Sequence, residues 1–235
     1  MALIQKTPNT TLPAEGNNVT TLGVTFNAQP TAGNFVALLF GAEQASALTF
    51  TVTDNRSNTY TTGSTLAFGG AGQVGVSYAL NILTGSPFTV TITWSAATFF
   101  DIGAVEFSGV DKTGSPVKSS NSTATSASAT TGTMSPTYDP LALYLYLGVF
   151  GTDNQNLTTI TPTNGIQLWN EPSNVVEAAG MSYLETTGSQ ALTWTLDSSV
   201  TWGGAGAVFK ETLPAPTIFA SIPTSKKLAA TVWQG

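Results

Sequence analysis

Asp101-Ile102-Gly103-Ala104-Val105-Glu106-Phe107-Ser108-Gly109-Val110 is the stretch that decides the fold of this chain. It returns in reduced form near the end as Gly203-Gly204-Ala205-Gly206-Ala207-Val208-Phe209-Lys210. Each copy follows a segment with Thr and Trp that alternates as a half-buried β-strand does, and each copy closes one half of the chain. The two copies predict a protein built twice from similar β-strands.

Further matches between the halves indicate an internal repeat, which has to be found before a fold is assigned. They keep one order along the chain, at offsets of 105, 103 and 103 positions. The matching segments are Val76-Ser77-Tyr78 with Met181-Ser182-Tyr183, Thr84-Gly85-Ser86 with Thr187-Gly188-Ser189, and Gly103-Ala104-Val105 with Gly206-Ala207-Val208. Two continuous apolar runs, Phe35–Gly41 and Leu141–Gly148, also correspond, and each fits a strand buried on both faces.

The composition favours an all-β protein. Charged residues make up only 9% of the 235 residues, against about 25% in an average soluble domain. Thr, Ser, Asn and Gly take their place. Thr is β-branched and suits a half-buried strand, while 23 Gly and 12 Pro indicate many turns. We predict a jelly-roll-like β-sandwich built from two similar halves, with two small, tightly packed sandwiches as the alternative.

The chain pattern also predicts extended arms at both ends. The predicted parts are an N-terminal arm over 1–18, a sandwich over 19–211 with halves 19–117 and 134–211, a Ser/Thr-rich joining segment over 118–133, and an extended C-terminal tail over 212–235. Within the joining segment we expect a short linker followed by a polar outer strand. The tail contains three prolines and has too little periodicity for a stable element.

Charge and residue content exclude several classes of partner. The net charge is −6 with only seven Lys and Arg, whereas nucleic acids and anionic membranes are bound by clustered Lys and Arg. No apolar run approaches the roughly 18 residues of a membrane-spanning helix. The N-terminal segment lacks the charged start and apolar core of a secretory signal. Cysteine is absent, so no disulfide stabilises the fold. We therefore expect neither nucleic acid nor membrane as a partner.

The sequence offers no catalytic site. Without His and Cys, the commonest general base, the thiolate nucleophile and most zinc ligand sets are missing. Asp101 and Glu106 are five positions apart, which puts them on opposite faces of one strand. Asp54, Arg56 and Asn58 have the alternate spacing of a calcium loop, but Arg56 stands where an oxygen ligand is needed, so an Asx turn is favoured. We predict a non-enzymatic protein with no cofactor and no bound metal.

Aromatic residues and the tail provide the remaining candidates for an interaction site. Trp94, Trp194 and Trp202 lie in strand patterns and are expected in the core. The predicted anchors for a partner lie in the tail and in one less regular segment, and they are Lys226, Lys227, Val232, Trp233 and Trp169. Trp233 follows the two lysines, and we interpret it as an anchor on a neighbouring subunit.

Three motifs carry a resemblance to a known type of module. They are Val52–Tyr60, Glu106–Val110 and Gly206–Lys210. Over about residues 20–211 the chain resembles a β-sandwich module of similar length found in bacterial and bacteriophage proteins. That module usually has Gly before the Asn of the first motif, where this chain has Ser57. The resemblance implies a sandwich and an extracellular or virion setting, and it implies no catalytic residues.

The function expected from these observations is structural. We expect a protein of a bacteriophage virion, either a capsid decoration or cement protein or a similar accessory component, held by its terminal arms. Arms that order on a neighbour gain binding free energy at the moment of assembly. The expected partners are other virion proteins, capsid or tail subunits, and further copies of the chain in a homo-oligomer. The alternative is a carbohydrate-binding or adhesive module that binds a host-surface glycan through exposed aromatic side chains in a groove.

Overall fold

The computed structural model describes residues 4–5, 13–43, 48–70, 72–113, 116–137, 142–152, 157–171 and 179–212. All of its named elements are β-strands, which form one seven-stranded and one six-stranded antiparallel sheet. The first sheet contains β1 (Ile4–Gln5), β2 (Ala14–Thr25), β3 (Phe35–Glu43), β4 (Phe50–Asp54), β5 (Thr61–Phe68), β6 (Gly72–Ala79) and β7 (Thr89–Ser108). The second contains β8 (Lys118–Thr130), β9 (Tyr144–Thr152), β10 (Ile160–Pro162), β11 (Ile166–Glu171), β12 (Ala179–Thr186) and β13 (Thr193–Lys210).

Both sheets have the same strand order, so the predicted two similar halves are confirmed. In the first sheet β5, β6, β3 and β7 are successive neighbours, β4 lies beside β3 along β7, and β2 lies on the other side of β7. In the second sheet β11, β12, β9 and β13 are successive neighbours, β10 lies beside β9 along β13, and β8 lies on the other side of β13. The strand β1 has no counterpart among the described residues of the second sheet and extends the β2 side of β7.

The strand registers fix which residues of the two halves are equivalent. Leu39 pairs with both Val76 and Gly103, and Val149 pairs with both Met181 and Ala205. Val76 and Met181 both lie in the core between the sheets, so this match joins residues on the same strand face.

The match of Gly103 with Gly206 is wrong by one residue. A Cβ atom at Gly103 would contact Met181 in the core between the sheets, whereas one at Gly206 would contact Thr131 and Met134 on the other face. A one-residue shift exchanges the two faces of a strand, so Gly103 corresponds to Ala205.

The two longest strands bend, and the bend turns each sheet into a small sandwich. The bends lie at the exposed segments 95–97 of β7 and 197–199 of β13. In the first half the bend brings Trp94 over β3, with its ring centroid 5.3 Å from that of Phe40. In the second half Trp194 packs on β9, with its ring centroid 4.9 Å from that of Phe150. Each half thus has a core of its own.

A third core joins the two sheets, so the structure is the predicted all-β sandwich of two similar halves, with a further core inside each half. Alternate residues of β3 and β9 point to different cores: Phe35 and Leu39 lie in the shared core, whereas Leu38 and Phe40 lie in the core of the first half. In the shared core the ring of Phe209 packs on Phe35 at 4.7 Å between centroids. Each fully buried side chain of this size stabilises the fold by about 1.5–3 kcal/mol.

Two predicted boundaries are wrong. Residues 14–18, predicted as part of an N-terminal arm, belong to β2, because Ala14 and Gly16 pair with Ile102 and Phe100 of β7. Residues 118–130 form no linker: all of them lie in β8, which pairs with β13, so the polar outer strand of the prediction begins at Lys118. An edge strand needs no apolar alternation when its outer side faces water. The predicted tail lies outside the described residues from position 213 onward.

Candidate functional site

The first and last described residues, Ile4 and Thr212, bind neighbouring positions of the chain. Ile4 pairs with Ser108 at the end of β7, and the backbone N–H of Thr212 donates a hydrogen bond of 2.6 Å to the carbonyl oxygen of Gly109. Next to this hydrogen bond, Val110 and Glu211 form an isolated antiparallel β-bridge. We call this place, made of residues 4–5, 108–112, 143, 185 and 210–212, the terminal junction.

The turn after β7 builds the terminal junction. Gly109 has φ 77°, a left-handed conformation that favours glycine, and the chain then runs beside the end of β13, where the N–H of Asp111 donates to the Lys210 carbonyl oxygen at 2.8 Å. The Asp111 carboxylate accepts hydrogen bonds from the N–H and the hydroxyl of Thr113 at 2.8 and 2.7 Å. These hydrogen bonds, with a smaller contribution from Lys210, lower the pKa of Asp111.

Two glutamates, Glu185 and Glu211, lie at the terminal junction. Glu211 is 5% exposed. Its Oε1 accepts the N–H of Leu143 at 3.1 Å, and its Oε2 is buried without a hydrogen-bond partner among the described residues. Burial and the negative charge of Glu211 raise the pKa of the half-buried Glu185. Oε2 of Glu211 can therefore accept a further hydrogen bond.

The Asp54 segment is an Asx turn, as predicted, and its geometry does not suit calcium. Oδ1 of Asp54 accepts the N–H groups of Arg56 and Asn58 at 2.8 and 3.1 Å. Oδ2 accepts the Asn58 side-chain amide at 2.7 Å and the Tyr60 hydroxyl at 3.1 Å. Both oxygens thus face donors, whereas a calcium site needs converging oxygen ligands. Burial, together with Asp54, raises the pKa of Tyr60.

Ser57 adopts a backbone conformation that is unfavourable for a residue with a Cβ atom. Ser57 has φ 60°, in the left-handed region that Gly occupies without strain. Ser57 thus occupies a position of the turn that Gly would suit better.

Asp101 and Glu106 do not form a catalytic pair. Both are 1% exposed and lie on opposite faces of β7, as predicted from strand parity. Oε1 of Glu106 accepts the N–H of Thr31 at 2.8 Å and the amide of Asn34 at 2.6 Å. Glu106 therefore fastens the loop before β3 to the sheet, a role that no local pattern in the sequence indicated.

The predicted anchors have different outcomes. Trp94, Trp194 and Trp202, at 3%, 0% and 2% exposed, are core residues as predicted. Trp169 is half-buried on β11 and packs against the shared core. It lines a narrow apolar cleft with Leu39 and Met181, whose volume of about 20 Å³ holds about one water molecule. The other four, Lys226, Lys227, Val232 and Trp233, lie outside the described residues, and their role stays a prediction.

Uncharged hydroxyl side chains cover the outer face of each half. In each sheet, three of these side chains lie next to one another on neighbouring strands. They are Thr21, Thr93 and Thr51 in the first half, and Ser128, Thr195 and Thr161 at the corresponding strands of the second. Neighbouring hydroxyls bond to each other, as between Thr21 and Thr93 at 3.2 Å. These two faces are polar but carry no charge in these rows.

No protein-family model, curated protein or solved structure matches this chain. Within the described ranges, no three or more Asp, Glu, His or Cys side chains group closely enough to hold a metal ion. The described part of the chain contains no helix long and apolar enough to cross a membrane.

Proposed function

We propose that this chain is a non-enzymatic structural protein of a bacteriophage virion, a capsid decoration or cement protein or a similar accessory component held by its terminal segments. The observation that carries the proposal is the terminal junction. Ile4 and Thr212, the outermost described residues, are attached to neighbouring positions, Ser108 and Gly109. The first and last described residues therefore lie side by side at the terminal junction of the part of the chain that contains the three cores, which we call the body.

The shared location of the two chain ends favours attachment to a partner through terminal arms. Two segments that leave the same place can bind the same neighbouring subunit or two adjacent ones, so each segment raises the effective concentration of the other. Segments that become ordered only on a partner bury their surface at the moment of assembly. The body needs no large interface of its own, because the arms supply the contacts.

The surfaces of the body support a repetitive assembly. The outer rows of Thr and Ser hydroxyls carry no charge, so copies of the body can stand side by side without like-charge repulsion between these faces. We propose capsid or tail subunits as partners and a homo-oligomer as the state on the particle. The net charge of −6 keeps the free protein soluble.

Deletion of residues 213–235 tests the proposal. The deletion variant should fold, because all described residues of the three cores precede position 213, and its occupancy on purified particles should fall at least tenfold. Lys118→Ala is a matched control that removes a positive charge from an exposed position of β8 outside the terminal junction, and it should leave occupancy unchanged. Full occupancy of the deletion variant, or binding of the intact chain to a glycan array instead of particles, would refute the proposal.

A further inference from the structure

A groove on the first half combines hydroxyl groups with aromatic rings. It lies where β4 begins and β7 reaches its bend, and its volume is about 210 Å³. Pockets for drug-sized ligands begin at about 300 Å³, so this groove has room for a single small ring. Its lining residues are Thr49, Phe50, Thr51, Thr93, Trp94 and Ser95.

The lining of the groove is held in place by the core and by strand pairing. The ring centroid of Phe50 lies 5.2 Å from that of Trp94 and 4.7 Å from that of Phe40. The N–H of Ser95 donates a hydrogen bond of 2.9 Å to the carbonyl oxygen of Thr49, which joins β7 to the chain before β4. A ligand therefore meets a preformed site, which lowers the entropy that binding costs.

The lining is uncharged and offers both donors and acceptors. Four of its six residues carry a hydroxyl group, which donates one hydrogen bond and accepts two. Thr51 and Thr93 also belong to the hydroxyl-covered outer face. That face continues along the strands to Thr25 and Thr89, whose hydroxyl oxygens lie 2.8 Å apart. A sugar presents matching groups, since hydroxyls surround its ring and the C–H groups on the ring face pack on aromatic side chains.

The second half does not repeat these features. Where Phe50 pairs with Trp94 in the first half, Ile160 pairs with Leu196 in the second. The bend of β13 carries Asp197, whose carboxylate accepts hydrogen bonds from the N–H and the hydroxyl of the residue two positions before β10. The repeated fold therefore requires neither the pair of aromatic rings nor the uncharged lining, which are particular to the first half.

We propose that this groove binds one neutral sugar unit of a polysaccharide, whose neighbouring units lie along the outer face of the first half. An acidic polysaccharide is disfavoured, because the chain has a net charge of −6.

The groove lies apart from the terminal junction. Ser95 precedes Ser108 by 13 positions, and the part of β7 after the bend spans about 35 Å. A body attached to a particle through the terminal junction thus keeps the groove free for a polysaccharide. The inference goes beyond the proposed function, and sugar binding itself does not depend on that function.

Affinity electrophoresis of the full-length chain tests the site, because a polysaccharide in the gel retards a protein that binds it. The probes are a soluble glucan, a mannan and a galactan, with alginate as the acidic comparison. We expect retardation by at least one neutral polysaccharide and none by alginate. Thr51→Trp fills the groove and should weaken this binding at least tenfold. Thr51→Ala removes one hydroxyl and should weaken it about fivefold.

Thr161→Trp and Thr161→Ala are the matched controls. Thr161 is the exposed residue of β10 that corresponds to Thr51, so the same changes there should leave binding as in the wild type. Retardation by alginate alone or by no probe would overturn the inference, and so would equal effects of the Thr51 and Thr161 variants. Particle occupancy of Thr51→Trp is a separate measurement and should equal that of the wild type, so failure of the sugar site leaves the proposed function standing.

Discussion

The substitution Phe209→Ala removes the centre of the contact between the two halves. Phe209 is fully buried, and its ring centroid lies 4.7 Å from that of Phe35 and 4.9 Å from that of Tyr78, both in the other half. Replacing a buried Phe by Ala costs about 3–5 kcal/mol, of which each aromatic contact contributes about 0.5–1.5 kcal/mol. We expect the free energy of unfolding to fall by about 4 kcal/mol, a large share of the ~5–15 kcal/mol that stabilises a typical domain.

Hydrogen exchange followed by mass spectrometry at increasing urea reads the two halves separately, through peptides from β3 and from β9. Because Phe209 lies between the halves, both peptides should lose protection together, at a lower urea concentration than in the wild type. Ile166→Ala is the control, since Ile166 is 59% exposed and its loss should change stability by no more than about 0.5 kcal/mol. If β9 alone lost protection earlier while β3 kept its wild-type midpoint, the halves would be independent and the reasoning refuted.

Three further predictions concern single side chains. Ser57→Gly should stabilise the fold by about 1 kcal/mol, because Gly occupies the left-handed φ of 60° without strain, while Ser57→Ala should not; thermal unfolding measures both. Ser77→Ala and Ser182→Ala should leave stability unchanged or raise it, since both hydroxyls are buried and have no hydrogen-bond partner among the described residues, and a loss above about 1 kcal/mol in urea unfolding would contradict this. The raised pKa of Glu185 means that the folded state binds its proton more tightly than the unfolded state. Stability should therefore fall as pH rises from the ordinary Glu value near 4.5 through the raised value, and Glu185→Gln should flatten that slope, whereas an unchanged slope would show that Glu185 is not its source.

The sequence pattern was sufficient for much of the architecture. The runs starting at Phe35 and Leu141 are apolar on both faces, and β3 and β9 do lie between two cores each. The alternation at Phe88–Trp94 predicted a strand with one buried face, and its Trp side chain is in the core. Such strands could be recognised because burial leaves a local period in the sequence.

Other elements depend on partners that are distant in the chain. The start of β2 contains Gly16 and follows Pro13, which indicates irregular chain, yet Ala14–Gly16 pairs with β7 about 85 residues later, as expected where tertiary pairing overrides local preference. The strand β8 has the composition of a linker because an edge strand of Ser, Thr and Ala needs no apolar stripe. The bends at segments 95–97 and 197–199 likewise leave no signal that separates one sandwich from two.

The terminal junction could not be derived from the sequence. Nothing local in Ile4, Gly109 or Thr212 indicates that these residues meet, because the contact depends on how β7 and β13 pack across the shared core. The burial of Glu211 follows from the same packing. In contrast, the Asx turn at Asp54 was predictable, since the hydrogen bonds that the Asp54 carboxylate accepts from Arg56 and Asn58 lie within five residues.

Electron cryomicroscopy of intact particles of a bacteriophage that encodes the chain tests the virion role and the attachment by arms most directly. We expect the body to stand with its terminal junction, at Ser108–Gly109 and Thr212, against a capsid or tail subunit, with the segment after Thr212 lying on that subunit. The hydroxyl-covered outer faces should point to neighbouring copies or to solvent. A body attached to the particle through an outer face, with the terminal junction pointing into solvent, would contradict attachment by arms, and absence of the chain from the particles would contradict the virion role itself.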